Sequence, residues 1–123
     1  MVRLIRALGI ALALVSGPAV AAESPVLARA RALYNAADYD NAIAVAGLAR
    51  TLPGAADAAT LVDARAHLER YRRTAESADL AAAREALSAI HPSLLAARDQ
   101  LDFIVGLGQS LYLGDLFGPA AEL

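Results

Sequence analysis

The sequence predicts an all-α fold made of antiparallel helix pairs. Of its 123 residues, 58% are hydrophobic but only 5% are aromatic. The difference is mostly alanine, which favours helices and lets helix faces pack closely. Apolar residues also recur at helical spacing, as at Leu80, Ala83, Leu87 and Ile90, while Arg84 falls on another face. A chain of this length has room for one domain, since single cores use roughly 100 to 150 residues.

The amino-terminal segment 1–22 has the layout of a signal peptide. Two arginines precede an apolar run, and small residues end the segment. Because the signal peptidase pocket admits only small side chains, we expect cleavage after Ala21 or Ala22. The expected location of the mature chain is therefore the periplasm or the exterior of the cell.

The alternative for this segment is an uncleaved membrane anchor. Residues 4–22 would reach about 28 Å as a helix, which is close to the thickness of a bilayer core. The Gly17-Pro18 pair interrupts such a helix and favours cleavage. Membrane attachment is expected only if the segment is retained.

The remaining residues, 23–123, carry nine arginines and thirteen acidic residues, a formal charge of −4. Nucleic acid is therefore not an expected partner. The chain contains no cysteine, so disulfides, thiolate metal sites and a lipid-modified amino terminus are excluded.

Local signals place the first two helices. The first is expected over about 25–36, with Ser24 as its cap and Pro25 at its first position. The second is expected over about 38–51, and it ends before the Pro53-Gly54 pair. These two helices would form the first antiparallel pair.

The third helix, expected over about 55–73, ends in the basic residues Arg70, Arg72 and Arg73, whose charges offset the helix dipole. Three neighbouring guanidinium groups could also bind a carboxylate or a phosphate. The alternative is a solvated face on which Glu69 pairs with Arg73 one turn later.

The fourth and fifth helices follow after a longer connection. The fourth is expected to begin near Ser77 or Asp79 and to end before Pro92. The fifth is expected over about 93–113, with Ser93 as its cap and Gly114 after its end.

An internal repeat underlies these helices. A small-polar-small pattern followed by bulkier residues occurs at 30–34, 64–68 and 108–112, and the first two copies start 34 residues apart. A second small landmark follows each copy, at Ala42, Ala83 and Ala120. The pattern predicts units of about 24–53, 55–92 and 93–123, of which the last is incomplete.

The first unit resembles a tetratricopeptide repeat. Its matching small, aromatic and proline positions are Ala30, Leu33, Tyr39, Ala42, Ile43, Ala46, Ala49 and Pro53. The second unit departs from the family pattern in its long connection and in Leu80, where an aromatic residue is usual. The resemblance implies a short α-solenoid that scaffolds or binds other proteins.

In that family, the first helix of each pair lines a concave groove that binds a protein or peptide. By position, the resemblance places eight residues in the groove: Arg31, Tyr34, Asn35, Arg65, Leu68, Glu69, Gln109 and Tyr112. Tyrosine and arginine suit such contacts because they dominate interface energies. The alternative is that about half of these side chains only pack between repeats.

Signals of catalysis are lacking, and we predict a non-enzymatic protein with no catalytic, cofactor-binding or metal-binding residues. His67 and His91 have no other histidine at ligand spacing. Neither a nucleophile elbow nor a glycine-rich phosphate loop occurs. We interpret two aspartate pairs, Asp38/Asp40 and Asp99/Asp102, as caps or exposed solubilising charges at helix starts.

The carboxyl end opens another apolar segment at 116–121 and stops before a second helix of the third unit is complete. A solenoid end normally needs a polar cap. We expect either a shortened member of a longer family or an apolar face covered by a partner, with self-association as one form. The alternative overall function is a structural helical subunit of an envelope assembly, tethered by the uncleaved amino-terminal segment.

Overall fold

The computed structural model describes residues 22–115 and 122–123, and helices cover 77% of these residues, with no strand among them. The predicted all-α class is confirmed. The predictions for the signal segment and for residues 116–121 lie outside the described residues. The helices are α1 (Pro25–Asn35), α2 (Tyr39–Ala49), α3 (Ala56–Thr74), α4 (Ser77–Ala89) and α5 (Ala97–Leu113), with a short 3₁₀ helix (Pro92–Leu94) before α5.

Capping residues fix the boundaries of the first helices. The Ser24 side chain accepts a hydrogen bond from the Val26 amide, with Pro25 at the first position of α1, and the Asp38 side chain caps α2. At the end of α3, Ala75 adopts a left-handed conformation, with φ of 57°. The predicted ends of these helices agree with the structure to within two residues.

The predicted start of the last helix is wrong by four residues, because α5 begins at Ala97 and not at Ser93. Ser93 lies in the 3₁₀ helix and caps nothing, and Ala96 precedes α5 without a side-chain cap bond. Between them, Leu95 is only 6% exposed and joins the core beside α3 and α4. The backbone at Leu95 is extended, with φ of −79° and ψ of 143°, so the helix begins only after this buried residue.

Each helix packs against the next one in an antiparallel stack. In addition, α1 contacts α3, and α3 contacts α5. The first helices of the pairs therefore lie side by side in one layer, with α2 and α4 behind them, as in a helical repeat. The small landmarks at Ala30, Ala42, Ala64 and Ala83 are fully buried, which lets the helices approach closely.

Two apolar clusters form the core, and α3 contributes to both. Val62 faces the cluster of α1 and α2, whereas Leu61 and Leu68 face the cluster of α4 and α5. Leu61 and Leu68 are the largest fully buried side chains among the described residues. Among the residues that the structure describes, no helix is both long enough and apolar enough to cross a bilayer.

Candidate functional site: the groove between α1, α3 and α5

The layer of first helices carries a pocket with a volume of about 200 Å³. Its walls come from all three helices: Arg31, Tyr34 and Asn35 of α1, Leu61, Val62 and Arg65 of α3, and Arg98 and Asp102 of α5. We call this pocket and its rim the groove. Four of the eight residues predicted for partner binding line it, namely Arg31, Tyr34, Asn35 and Arg65.

Tyr34 forms the aromatic wall of the groove. The Arg65 guanidinium lies over its ring, with the Arg65 Cζ 4.7 Å from the ring centroid, and Arg65 Nη1 also lies 2.9 Å from Asp102 Oδ2. Burial raises the pKa of Tyr34 above its ordinary value of 10.0, and this effect outweighs the opposing charge of Arg65. The hydroxyl of Tyr34 is therefore protonated at neutral pH and remains a hydrogen-bond donor.

Arg31 connects α1 to α5 across the groove. It donates two hydrogen bonds to Asp99 of α5, from Nη1 to Oδ1 (3.0 Å) and from Nη2 to Oδ2 (2.8 Å), and a third from Nε to Glu23 (2.7 Å). We call the Arg31–Asp99 pair the clasp. Burial lowers the pKa of Arg31, but the bonds to both carboxylates outweigh it and raise the pKa. Arg31 is thus bound within the fold, and its guanidinium is not available to a partner.

The clasp also corrects the interpretation of Asp99 as an exposed capping charge. Its side chain is 4% exposed, and it pairs with an arginine 68 residues away in sequence. Such a contact leaves no local signal in the sequence, because neither residue lies at helical spacing from the other. The sequence placed Arg31 in the groove, but it predicted neither the burial of Asp99 nor its pairing with Arg31.

Two polar side chains at the rim remain accessible. The Asn35 amide is exposed and makes no hydrogen bond within the described residues. Arg98 is 70% exposed, and its nearest carboxylate atoms are 3.7 Å (Asp99) and 3.9 Å (Glu23) away. The amide donates and accepts, whereas the guanidinium only donates. The groove therefore has an aromatic wall at Tyr34 and a rim that can form hydrogen bonds.

The other predicted contact residues lie elsewhere. Leu68 has no exposed surface and belongs to the core, so the prediction that it contacts a partner is wrong. Glu69 accepts a hydrogen bond from Gln109 (3.0 Å), which ties α3 to α5. Tyr112 is 61% exposed but does not line the pocket. These residues show that helical position alone does not distinguish a groove side chain from one that packs between helices.

The three arginines at the end of α3 do not converge on one site. Arg70 lies 3.3 Å from both Asp40 and Asp79. Arg72 pairs with Glu69 at 2.9 Å, so the predicted Glu69–Arg73 pair is wrong. Arg73 instead covers the Tyr39 ring, 4.5 Å from its centroid, and donates to the backbone carbonyl of Ala37 in the loop between α1 and α2. A shared anion site is therefore not formed by Arg70, Arg72 and Arg73.

A buried polar network joins α3 to α4. His67 Nδ1 lies 2.7 Å from Asp79, and its Nε2 lies 3.7 Å from Asp63. Burial raises the pKa of Asp63, although the charges of His67 and Arg50 oppose the shift. The sequence interpretation missed this network, although the spacing of Asp63 and His67, one helical turn, was a usable signal. Among the described residues, no cluster of these residue types is arranged to hold a metal ion.

Comparisons of the chain with family models, curated proteins and solved structures find no match. The interpretation of the groove accordingly depends on its own geometry, and the tetratricopeptide resemblance stays a prediction.

Proposed function

We propose that the chain is a non-enzymatic interaction module that binds an extended segment of a partner protein in the groove. The size of the pocket supports this most directly. At about 200 Å³ it is smaller than typical small-molecule sites, which span about 300 to 1,000 Å³. It has room for one or two side chains of a polypeptide, whose remainder would run along the open rim.

The chemistry of the walls suits a peptide. Leu61 and Val62, only 1% and 5% exposed, lie beneath the pocket, and Tyr34 offers a half-buried, rigid amphipathic wall with a protonated hydroxyl. Asn35 presents an accessible amide beside them, and an amide donates to a peptide carbonyl and accepts from a peptide N–H. An apolar side chain of the partner would fill the pocket while its backbone pairs with Asn35.

The charges of the groove favour a partner segment that is close to neutral. Arg31 and Arg65 are compensated by Asp99 and Asp102, so they add little net attraction for an acidic ligand. Arg98 adds one accessible positive charge at the rim. We therefore expect binding with a weak dependence on salt, because few charges are neutralised on association.

The expected location and family are consistent with this function. A tetratricopeptide-like module exported by the amino-terminal signal would meet its partners in the periplasm or outside the cell. If that signal is retained instead, the same groove would act at the membrane surface as part of an envelope assembly. In both cases the partner is a protein, and a nucleic acid is disfavoured by the acidic charge.

The test uses linear 12-residue peptides displayed on phage and selected against the immobilised chain. Selected peptides are resynthesised with fluorescein, and their affinity is measured by fluorescence anisotropy. We expect enriched sequences with one recurring apolar or aromatic residue. Tyr34→Ala and Asn35→Ala should each weaken binding about tenfold, since each removes a contact of roughly 1.4 kcal/mol.

A matched control is available on the opposite side of α1. Arg29→Ala removes an exposed arginine that does not line the groove, whereas Arg65→Ala removes one that does. Binding should fall with Arg65→Ala and stay unchanged with Arg29→Ala. The proposal is refuted if selection enriches no peptide, or if the enriched peptides bind Tyr34→Ala and Asn35→Ala as tightly as the unmodified chain.

A further inference from the structure

A stack of four side chains connects the groove to a second cavity. The Arg65 guanidinium lies over the Tyr34 ring, with the Arg65 Cζ 4.7 Å from the ring centroid. The centroid of Tyr34 lies 5.6 Å from that of Tyr39. At the far end, the Arg73 guanidinium covers the Tyr39 ring, 4.5 Å from its centroid. We call these four side chains the stack.

The two halves of the stack face different cavities. Tyr34 and Arg65 line the groove. Tyr39 and Arg73 instead line a second cavity of about 400 Å³, between the start of α2 and the end of α3. A peptide side chain that fills the groove would therefore touch Tyr34 but neither Tyr39 nor Arg73.

Contacts of its ring orient Tyr34. The ring packs on the apolar cluster of α1 and α2, and its hydroxyl forms no hydrogen bond within the described residues. The rings of Tyr34 and Tyr39 are tilted by 53°, and their separation lies in the range of favourable aromatic pairs. Tyr39 thus helps to determine how the Tyr34 ring stands at the groove.

A short turn and Arg73 hold Tyr39 in place. Tyr39 is the first residue of α2, and only three residues separate it from the end of α1. Within this turn, Ala37 has a φ of 61°, and its carbonyl accepts a hydrogen bond of 3.3 Å from Arg73. Arg73 therefore contacts both the turn and the Tyr39 ring, whose face attracts a guanidinium.

We propose that Tyr39 and Arg73 are positioning residues of the groove, which hold the Tyr34 ring in the orientation that a partner peptide contacts. This inference rests on the function proposed above. Its physical basis is preorganisation, because a ring that is already fixed loses little rotamer freedom when the peptide binds. Releasing the ring should weaken binding about three- to tenfold, which is the cost of ordering one side chain.

The first test measures the affinity of a selected peptide for Tyr39 variants by fluorescence anisotropy. Tyr39→Leu keeps an apolar side chain but removes the ring, and we expect about three- to tenfold weaker binding. Tyr39→Phe keeps the ring and should bind as tightly as the unmodified chain. If Tyr39→Leu also binds as tightly as the unmodified chain, the inference is wrong.

A double-mutant cycle separates positioning from a general effect on the fold. Once Tyr34 is replaced by alanine, no ring remains to be positioned. Adding Tyr39→Leu to Tyr34→Ala should therefore change the affinity by less than about twofold. A full additional loss in the double variant would show that Tyr39 acts on the groove by another route, and it would overturn the inference.

The second readout needs no peptide. Fluorotyrosine replaces the four tyrosines of the chain, and single Tyr→Phe variants assign the fluorine NMR signals. Arg73→Met removes the guanidinium that covers Tyr39, so the Tyr34 signal should shift through the contact between the two rings. Arg29→Met is the matched control, since Arg29 is exposed and lines neither cavity. A Tyr34 signal that Arg73→Met leaves unmoved would contradict the inference.

The two readouts distinguish this inference from the function on which it rests. If the Tyr34 signal shifts with Arg73→Met but no peptide is enriched, the proposed function fails while the positioning of the ring is supported. If a peptide binds and depends on Tyr34 but is insensitive to Tyr39→Leu, the inference fails and the proposed function is supported.

Discussion

Breaking the clasp should destabilise the fold, and the loss of stability should depend on which of its two side chains is replaced by alanine. Arg31→Ala leaves Asp99 as a buried carboxylate, 4% exposed, whose nearest remaining cation is Arg98 Nε at 3.7 Å. Asp99→Ala leaves Arg31 with 17% exposure and a 2.7 Å bond to Glu23. Because the carboxylate has the poorer alternatives, we expect Arg31→Ala to be the more harmful change.

The structure sets the expected magnitudes. Removing one partner of a fully buried ion pair costs about 3 to 5 kcal/mol. For Arg31→Ala we expect a loss of about 3 kcal/mol in the free energy of unfolding. Asp99→Ala should cost only about 1 to 2 kcal/mol, since the guanidinium keeps water and Glu23. The double variant should be no less stable than Arg31→Ala, because it contains no isolated buried charge.

Urea denaturation followed by circular dichroism at 222 nm measures these free energies. A loss of about 3 kcal/mol corresponds to a melting temperature lower by at least roughly 10 °C for a domain of this size. The reasoning is refuted if Asp99→Ala is as harmful as Arg31→Ala, or if both variants lie within about 0.5 kcal/mol of the unmodified chain.

Three further predictions concern stability. Burial raises the pKa of Asp63 above 3.8, so the folded state binds this proton more tightly, and the stability due to Asp63 falls as pH rises from 3.8 through the raised pKa. Urea titrations across this pH range measure the unfolding free energy of the unmodified chain and of Asp63→Asn. The difference between them, unmodified minus variant, should decrease as pH rises. An increase would contradict the expected sign. Leu68→Ala should lower the free energy of unfolding by about 3 kcal/mol because Leu68 is fully buried. Leu48→Ala, at an exposed position, should change it by less than about 0.5 kcal/mol, and thermal melting of the two variants can compare them. Gly47→Ala should stabilise the chain by about 0.5 to 1 kcal/mol, because Gly47 lies within α2 and an added methyl group meets no atom within 4 Å; a lower melting temperature would refute this.

The fold was predictable because its signals are local. Ser24 before Pro25, the Asp38 cap and the spacing of small residues each act within a few positions of the chain, and these predicted helices formed nearly where expected. The start of α5 was not predictable in this way. It depends on Leu95 reaching a core built by α3 and α4, and tertiary burial of that kind overrides a capping serine.

The site was predictable by position but not by side-chain pairing. The spacing of the repeats predicted that Tyr34, Asn35 and Arg65 would line the groove, and the structure has them there. Register could not indicate that Arg31 is bound by a carboxylate 68 residues later, or that Leu68 turns into the core. Both outcomes are set by the distance between helices that are remote in sequence, for which a single chain offers no local pattern.

The two sides of α5 are experimentally separable. The inner side supplies Asp99 to the clasp and Asp102 to the groove, while Leu101 and Val105 lie exposed on the outer side. Leu101→Glu should therefore leave the affinity for a selected peptide unchanged, whereas Asn35→Ala should weaken it about tenfold, as fluorescence anisotropy can compare. If peptide affinity also falls with Leu101→Glu, the bound peptide extends beyond the groove onto the outer side of α5.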